Sequence, residues 1–328
     1  MGGNHGYVHH HFAHRHADGA PHRLRATRRG VLAALGLVPA AMVLGPNAPA
    51  WALTNAVEVT EADGYRLIRA NGIPAHGTGT FPNRHNPNSI AAQRYEFRVP
   101  LAPRRLPESR PYAMQLFGVA VNGVPFDPFT AEFWQRDRHS GWRYEAMTGK
   151  LDLGLDDSNA HVQPNGAYHY HGVPNGLVAR WSPDRHSAVV GWAADGFPIY
   201  LAYGFSFAGD PASPVRALKS SWRLRQGQRP GGPGGPFDGT FVEDFEYVAG
   251  LGDLDEANGR DGVTPEYPQG TYAYFLTGTY PFVPRFFRGE PDPSFRHGPP
   301  GGGPGGPGGP GGFGPPPGRF GPPPRERR

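Results

Sequence analysis

The 328-residue chain has no cysteine. That absence excludes a disulfide framework, a thiolate metal site and a cysteine nucleophile, and it leaves histidine and carboxylate side chains as the means of holding a transition metal. Long apolar runs are also missing. The best of them, residues 31–44, is uncharged but includes Gly36 and Pro39 and is shorter than the roughly 20 apolar residues of a membrane span, so the mature chain is not expected to cross a membrane. A surplus of one charge is absent where it would matter. The formal net charge of +4 resides in residues 1–50, where Arg15, Arg23, Arg25, Arg28 and Arg29 face only Asp18. Beyond them 27 basic residues balance 27 acidic ones, and residues 51–296 carry a net −3. No basic stripe points to nucleic acid.

The N-terminal 50 residues have the order of a secretory leader. Ala26-Thr27-Arg28-Arg29-Gly30-Val31-Leu32 sets an arginine pair directly against the uncharged run, and Ala48-Pro49-Ala50 supplies the small-x-small pattern for cleavage. The paired arginines resemble a twin-arginine (Tat) leader. The resemblance implies the Tat translocase and signal peptidase as partners, a mature start near Trp51, and a periplasmic or secreted protein. Residues 297–328 are almost entirely Gly, Pro, Phe and Arg, too poor in apolar mass to offset the entropy of ordering, and are expected to be a disordered tail.

Between these ends, residues 51–296 suffice for one domain. Glycine and proline punctuate the segment every 8 to 12 residues, and between them lie short runs rich in Val, Tyr, Phe and Ile: 94–99, 113–121, 188–193, 199–203 and 271–277. This cadence predicts an all-β or predominantly β fold, a single sandwich- or barrel-like domain with minor helix, the best helical candidate being 129–136. Arg229 to Pro236 reads as a flexible surface insertion.

The densest chemistry lies between Asp156 and Gly172, in His161-Val162-Gln163-Pro164-Asn165-Gly166-Ala167-Tyr168-His169-Tyr170-His171. In a strand, His169 and His171 point to one face and Tyr168 and Tyr170 to the other. Whether His161 joins them depends on the turn, because a slip of one residue reverses every side chain. A two-residue Asn165-Gly166 turn by the type I′ route sets His161 opposite Tyr170. A three-residue Pro164-Asn165-Gly166 loop pairs Gln163 with Ala167 and sets His161 across from His169. Proline suits the first central position of a type I turn and glycine the left-handed position that closes the loop, which favours the second arrangement and a three-histidine face. Such a set, without thiolate, suits Cu²⁺, Zn²⁺ or Fe²⁺; copper leads on intrinsic affinity and on the exported location. Asp156, Asp157 or Asp195 are candidates to complete the shell or to orient an imidazole. Alternatively, the rings form an aromatic ladder filling a core.

Tyr168-His169-Tyr170-His171, with Asn122-Gly123-Val124-Pro125-Phe126-Asp127-Pro128, Gly191-Trp192-Ala193-Ala194-Asp195-Gly196-Phe197-Pro198-Ile199-Tyr200 and Tyr280-Pro281-Phe282-Val283-Pro284, resembles the family named for its YHYH motif, over roughly residues 110–290. Family members often carry cysteines where this chain has Ala257 and Phe286, so the resemblance implies a disulfide that is missing here. It implies no reaction. The motif is also similar locally to the Tyr-His-x-His strands of multicopper oxidases, without the cysteine of a type 1 copper site. Other sites are weaker. Gly204-Phe205-Ser206-Phe207-Ala208 lacks the closing glycine of a nucleophile elbow, and Asp253 to Gly259 has the composition of a calcium loop but not its phase. A second class of function, a binding module for carbohydrate or a protein partner, would present Trp134, Trp142 and Trp192 on the surface; a structural envelope role is a third.

Overall fold

The computed structural model describes residues 53–112 and 115–296. The expected leader with its expected cleavage site, and the Gly/Pro-rich tail expected to be disordered, lie outside the described residues. All the described residues belong to one compact unit.

The fold is predominantly β. Strands β1 (Val57–Ala62), β2 (Tyr65–Ala70) and β3 (Tyr95–Pro100) form an antiparallel sheet. Asp63-Gly64, both at positive φ, joins its first two strands in the two-residue turn whose twist matches that of a hairpin. An eight-stranded sheet is built from β4 (Gly118–Ala120), β5 (Pro125–Phe126), β6 (Ala160–Val162), β7 (Tyr168–Tyr170), β8 (Gly191–Ala193), β9 (Pro198–Leu201), β10 (Gly259–Gly262) and β11 (Thr271–Leu276). Its order is β10-β11-β9-β8-β4-β5-β7-β6. The barrel alternative is corrected: among the described residues β6 and β10 are edge strands and the sheet does not close. Ile68, Phe97 and Val99 of the smaller sheet share one apolar core with Val119, Phe126, Tyr170, Ile199 and Tyr274 of the larger, so the two sheets pack as layers. Among the described residues helix is limited to one turn, α1 (Asn175–Val178), and short 3-10 turns. One of these, Trp134–Arg136, falls at the end of the expected helical stretch.

The large sheet is a tandem duplication. Gly118-Val119-Ala120-Val121-Asn122-Gly123-Val124-Pro125-Phe126 recurs as Gly191-Trp192-Ala193-Ala194-Asp195-Gly196-Phe197-Pro198-Ile199. The pairings recur with it: Gly118↔Phe126 as Gly191↔Ile199, and the parallel pair Phe126↔Tyr170 as Ile199↔Tyr274. The hairpin pair Ala160↔Tyr170 recurs as Gly259↔Tyr274. Side-chain bonds repeat as well. Asn122 Nδ2 donates to the Tyr170 hydroxyl at 2.9 Å where the Tyr274 hydroxyl donates to Asp195 at 2.5 Å, and Tyr168 donates to Asp156 as Tyr272 donates to Asp255. β4 and β8 pair antiparallel at the centre, relating the halves by a local two-fold.

Asp195 therefore occupies a position that its counterpart fills with a neutral amide. Burial pushes its carboxyl up to about 6, against the hydrogen bonds from Tyr274 and the Gly289 N–H. An unfolded aspartate titrates near ~3.9. The folded chain thus holds the proton longer, and stability falls by about 3 kcal/mol as pH rises from ~4 to ~6. In urea unfolding at pH 4 and pH 7, the stability advantage of wild type over Asp195→Asn is expected to shrink by about this amount; parallel pH profiles would contradict it.

The segment Arg229 to Pro236 lies largely on the surface, as expected of an insertion, and is anchored through its first residue. The Arg229 side chain is buried against Asp244 (2.6 and 2.7 Å) and Asp238 (2.5 Å) and also donates to the Gly234 carbonyl. Sequence composition alone does not show that an arginine at the edge of a glycine run has two carboxylates waiting for it.

Candidate metal centre

Pro164-Asn165-Gly166 forms the three-residue loop. The Gln163 N–H donates to the Ala167 carbonyl at 3.0 Å, the Gly166 N–H to the Gln163 carbonyl at 2.8 Å, and Gly166 sits at φ +85°, with no room for a Cβ against Ala91. The resulting register pairs His161 with His169 and Val162 with Tyr168. His161, His169 and His171 therefore share a face. Nε2 of His171 lies 3.0 Å from Nε2 of His169 and 3.1 Å from Nε2 of His161, and the three ring centroids are 4.7 to 4.8 Å apart.

Backbone fixes which nitrogen carries the proton on two of the rings. Nδ1 of His161 is 3.0 Å from the Leu153 carbonyl and Nδ1 of His169 is 3.2 Å from the Ala167 carbonyl. A carbonyl only accepts, so each Nδ1 is the donor and, in the neutral ring, each Nε2 presents a lone pair to the centre. Nε2 of His171 can give one proton to one neighbour but faces two lone pairs. A cation resolves that conflict: Nε2 of His171 is 3.0 and 3.1 Å from its two neighbours and all three nitrogens lie within 4.8 Å of one another, so small ring movements bring each to about 2.0–2.1 Å from one ion. Two of the rings are also held neutral. Burial lowers the pKa of His171 well below the usual value, aided by positive charge on His169, His161 and Arg285. Burial lowers His161 too, opposed by its bond to Leu153 and the charges of Glu132, Asp127 and Asp156. Nδ1 of His171 is buried with no hydrogen-bond partner.

The three aspartates proposed as completing groups are elsewhere. Among the described residues this cluster contains only histidine. Asp156 is turned to the tyrosine face, accepting from the N–H groups of Gly79 and Ser158 and from the Tyr168 hydroxyl at 2.7 Å. Asp157 enters only through its backbone carbonyl, which accepts from Asn175. Asp195 is tied into the second half of the sheet. A short acidic residue before a strand satisfies backbone donors in its own turn before it can reach across the sheet.

The tyrosine face holds a residue the sequence did not suggest. His76 places Nε2 2.6 Å from the Tyr170 hydroxyl and stacks on its ring, with centroids 5.9 Å apart. Nothing in its flanks, Pro74-Ala75-His76-Gly77, signals the contact. The weaker motifs resolve to structure. Ser206 donates to the Pro214 carbonyl beside a two-stranded ladder, Asp253 forks with Arg216, and Asp255 caps the Ala257 and Gly259 N–H groups. Ala257 lies in the apolar core and Phe286, partly buried, packs against it. Trp134, Trp142 and Trp192 are each half-buried, Trp192 under the Arg66 guanidinium at 4.3 Å and Trp142 edge-on to Phe241.

No curated protein and no solved structure matches the chain. A family model of YHYH proteins matches residues 96–289, more than half of the chain, and the chain belongs to that family.

Proposed function

We propose that the protein is an exported metalloprotein that holds one transition-metal ion through Nε2 of His161, His169 and His171. The observation that carries this reading is the convergence of three buried or half-buried imidazole nitrogens, two with their tautomers set by backbone carbonyls so that lone pairs meet. Three neutral nitrogens and no thiolate leave a coordination position for water or a ligand. Copper is favoured over zinc on the affinity order and in an exported compartment. Export is part of the proposal: residues 1–50 act as a Tat leader, the Tat translocase and signal peptidase are the partners in transit, and the protein works in the periplasm or outside the cell.

The test is to recover the protein from outside the cytoplasm, measure its N-terminal mass and metal content, then strip it and titrate it with Cu²⁺ and Zn²⁺ by calorimetry. The expected result is an N-terminus between Trp51 and Leu53 and saturable binding of one ion per chain, tighter for Cu²⁺. Absence of saturable binding by either ion would remove the metal reading, and an uncut chain in the cytosol would remove the export reading.

A further inference from the structure

The three-stranded sheet has one covered edge and one open edge. The Asn71 N–H donates to the Ala56 carbonyl at 3.0 Å, and the Leu101 N–H to the Gly64 carbonyl at 3.0 Å. These bonds fix the alternation of the ladder: Glu58, Thr60 and Ala62 exchange bonds with β2, so the N–H and C=O groups of Val57, Val59 and Glu61 point away from the sheet. Among the described residues β1 has β2 as its only neighbour, and nothing pairs with those outward groups. The other edge, β3, is covered: Oγ of Ser294 accepts from the Arg98 N–H at 2.9 Å, and Phe295 of the same 3-10 turn stacks on Phe97.

β1 also lacks the usual guards of an open edge. It pairs in unbroken register over all six residues, every one of them exposed, and it contains no proline, no lysine and no bulge. Its two acidic side chains are answered within the sheet, Glu61 by Arg66 at 3.0 Å and Glu58 by Arg69 at 3.8 Å. Val57 and Val59 stand opposite Ala70 and Ile68, on the face turned to the core, yet they are 36% and 45% exposed where Ile68 is 1% exposed. Apolar surface and unpaired backbone therefore coincide on one strand.

The edge is complementary to itself. When two copies of β1 pair antiparallel about a two-fold through Val59, outward-facing groups meet outward-facing groups: Val59 opposes Val59, Val57 opposes Glu61, and Glu58 opposes Thr60. No like charges are opposed, and four valines gather on one face. Moving the two-fold one residue back sets Glu58 against Glu58, and moving it one residue forward sets Val59 against Glu61 and Val57 against Asp63 of the turn.

We propose that β1 is a docking edge for a second copy of this chain, joining two three-stranded sheets into one six-stranded sheet by antiparallel pairing centred on Val59. A six-residue strand pair lies at the small end of specific interfaces, so the dimer is reversible, with Kd on the order of micromolar. It does not depend on the metal-centre reading.

The experiment takes the whole chain as recovered from cells and measures its mass by sedimentation equilibrium from low to hundreds of micromolar concentration. A reversible monomer–dimer equilibrium is expected. Val59→Lys sets two lysines against each other at the two-fold and is expected to weaken dimerisation at least about tenfold. Because Val59 is exposed at an edge, the melting temperature of the dilute monomer should not change. The register is read separately. The chain has no cysteine of its own, so Thr60→Cys carries a single nitroxide label on the face opposite the valines. In the proposed pairing the two copies of residue 60 are diagonal neighbours about 7–8 Å apart, and electron paramagnetic resonance of the labelled dimer should show strong dipolar broadening that Val59→Lys removes. A chain that stays monomeric throughout the range overturns the proposal. So does dimerisation that Val59→Lys leaves intact, or a labelled dimer without broadening, since either places the contact on another surface.

Discussion

The double variant His169→Ala/His171→Ala is expected to lose saturable Cu²⁺ and Zn²⁺ binding, a drop on the order of a thousandfold or more, because complete zinc sites supply roughly 10–16 kcal/mol and two of three ligands are gone. The metal-dependent rise in melting temperature should vanish with it, since a ligand stabilises only the state it binds. The fold should survive. β7 is fixed from its other face by Tyr168 on Asp156 and by Tyr170 on Asn122 and His76, none of which the substitutions touch. The duplication supplies a sharper control: the positions of His161, His169 and His171 correspond in the second half to Arg260, Ala273 and Phe275. The same scaffold thus already forms with alanine and phenylalanine there. His169→Ala/His171→Phe copies the second half into the first, and calorimetric titration of both variants beside wild type separates loss of ligands from loss of structure. Equal metal binding by wild type and a folded variant would eliminate the site.

Much of this centre was legible in the sequence because a hairpin is a local object. Spacing placed His169 and His171 on one face, and Pro164-Asn165-Gly166 carried enough turn chemistry to favour the register that adds His161. Groups supplied from far along the chain were not legible. His76 meets Tyr170 from the segment that follows β2, and no propensity rule would assign left-handed backbone to both Gln135 and Arg136. Closure was illegible for a related reason: alternation within strands is the same in an open sheet and a barrel, and only the pairing of edge strands distinguishes them.

The duplication was legible and still easy to miss. Its clearest trace, Gly-x-Ala-x-Asn/Asp-Gly-x-Pro, is short, and the second half is interrupted between β9 and β10 by small two-stranded ladders at 203–205 with 215–217 and 222–224 with 245–247. What the two halves share is turn and tyrosine chemistry: a side-chain amide or carboxylate at the β4–β5 or β8–β9 turn bonded to a strand tyrosine. What separates them is the imidazole set. The shared features hold the sheet, and the unshared ones mark the half that carries the candidate metal centre.

Behind the triad lies a charge pair whose disruption should cost more than any other single substitution considered. Arg285 and Glu145 meet at 2.6 Å with side chains 4% and 0% exposed. The guanidinium lies over the rings of Phe129 at 4.6 Å and Tyr280 at 4.9 Å, and Arg143 also lies over Phe129, at 4.5 Å. Nε and Nη1 of Arg285 have no hydrogen-bond acceptor, so stacking on rings replaces hydrogen bonding for much of this cation. Burial raises the pKa of Glu145, and Arg285 is the largest influence opposing it. Arg285→Met keeps most of the volume but strands a buried carboxylate, at a cost of about 3–5 kcal/mol, a large share of the 5–15 kcal/mol of a typical domain. Glu145→Gln in the same chain should recover part of the loss, giving a favourable coupling in a double-mutant cycle followed by urea unfolding. The pH dependence has a definite sign. Without its partner Glu145 holds its proton to higher pH in the folded state than in the unfolded chain, so the deficit of Arg285→Met grows as pH rises through the carboxylate range and narrows in acid. A loss below about 1 kcal/mol at neutral pH, or a deficit independent of pH, would show that the carboxylate is satisfied by the Met147 N–H and solvent rather than by Arg285.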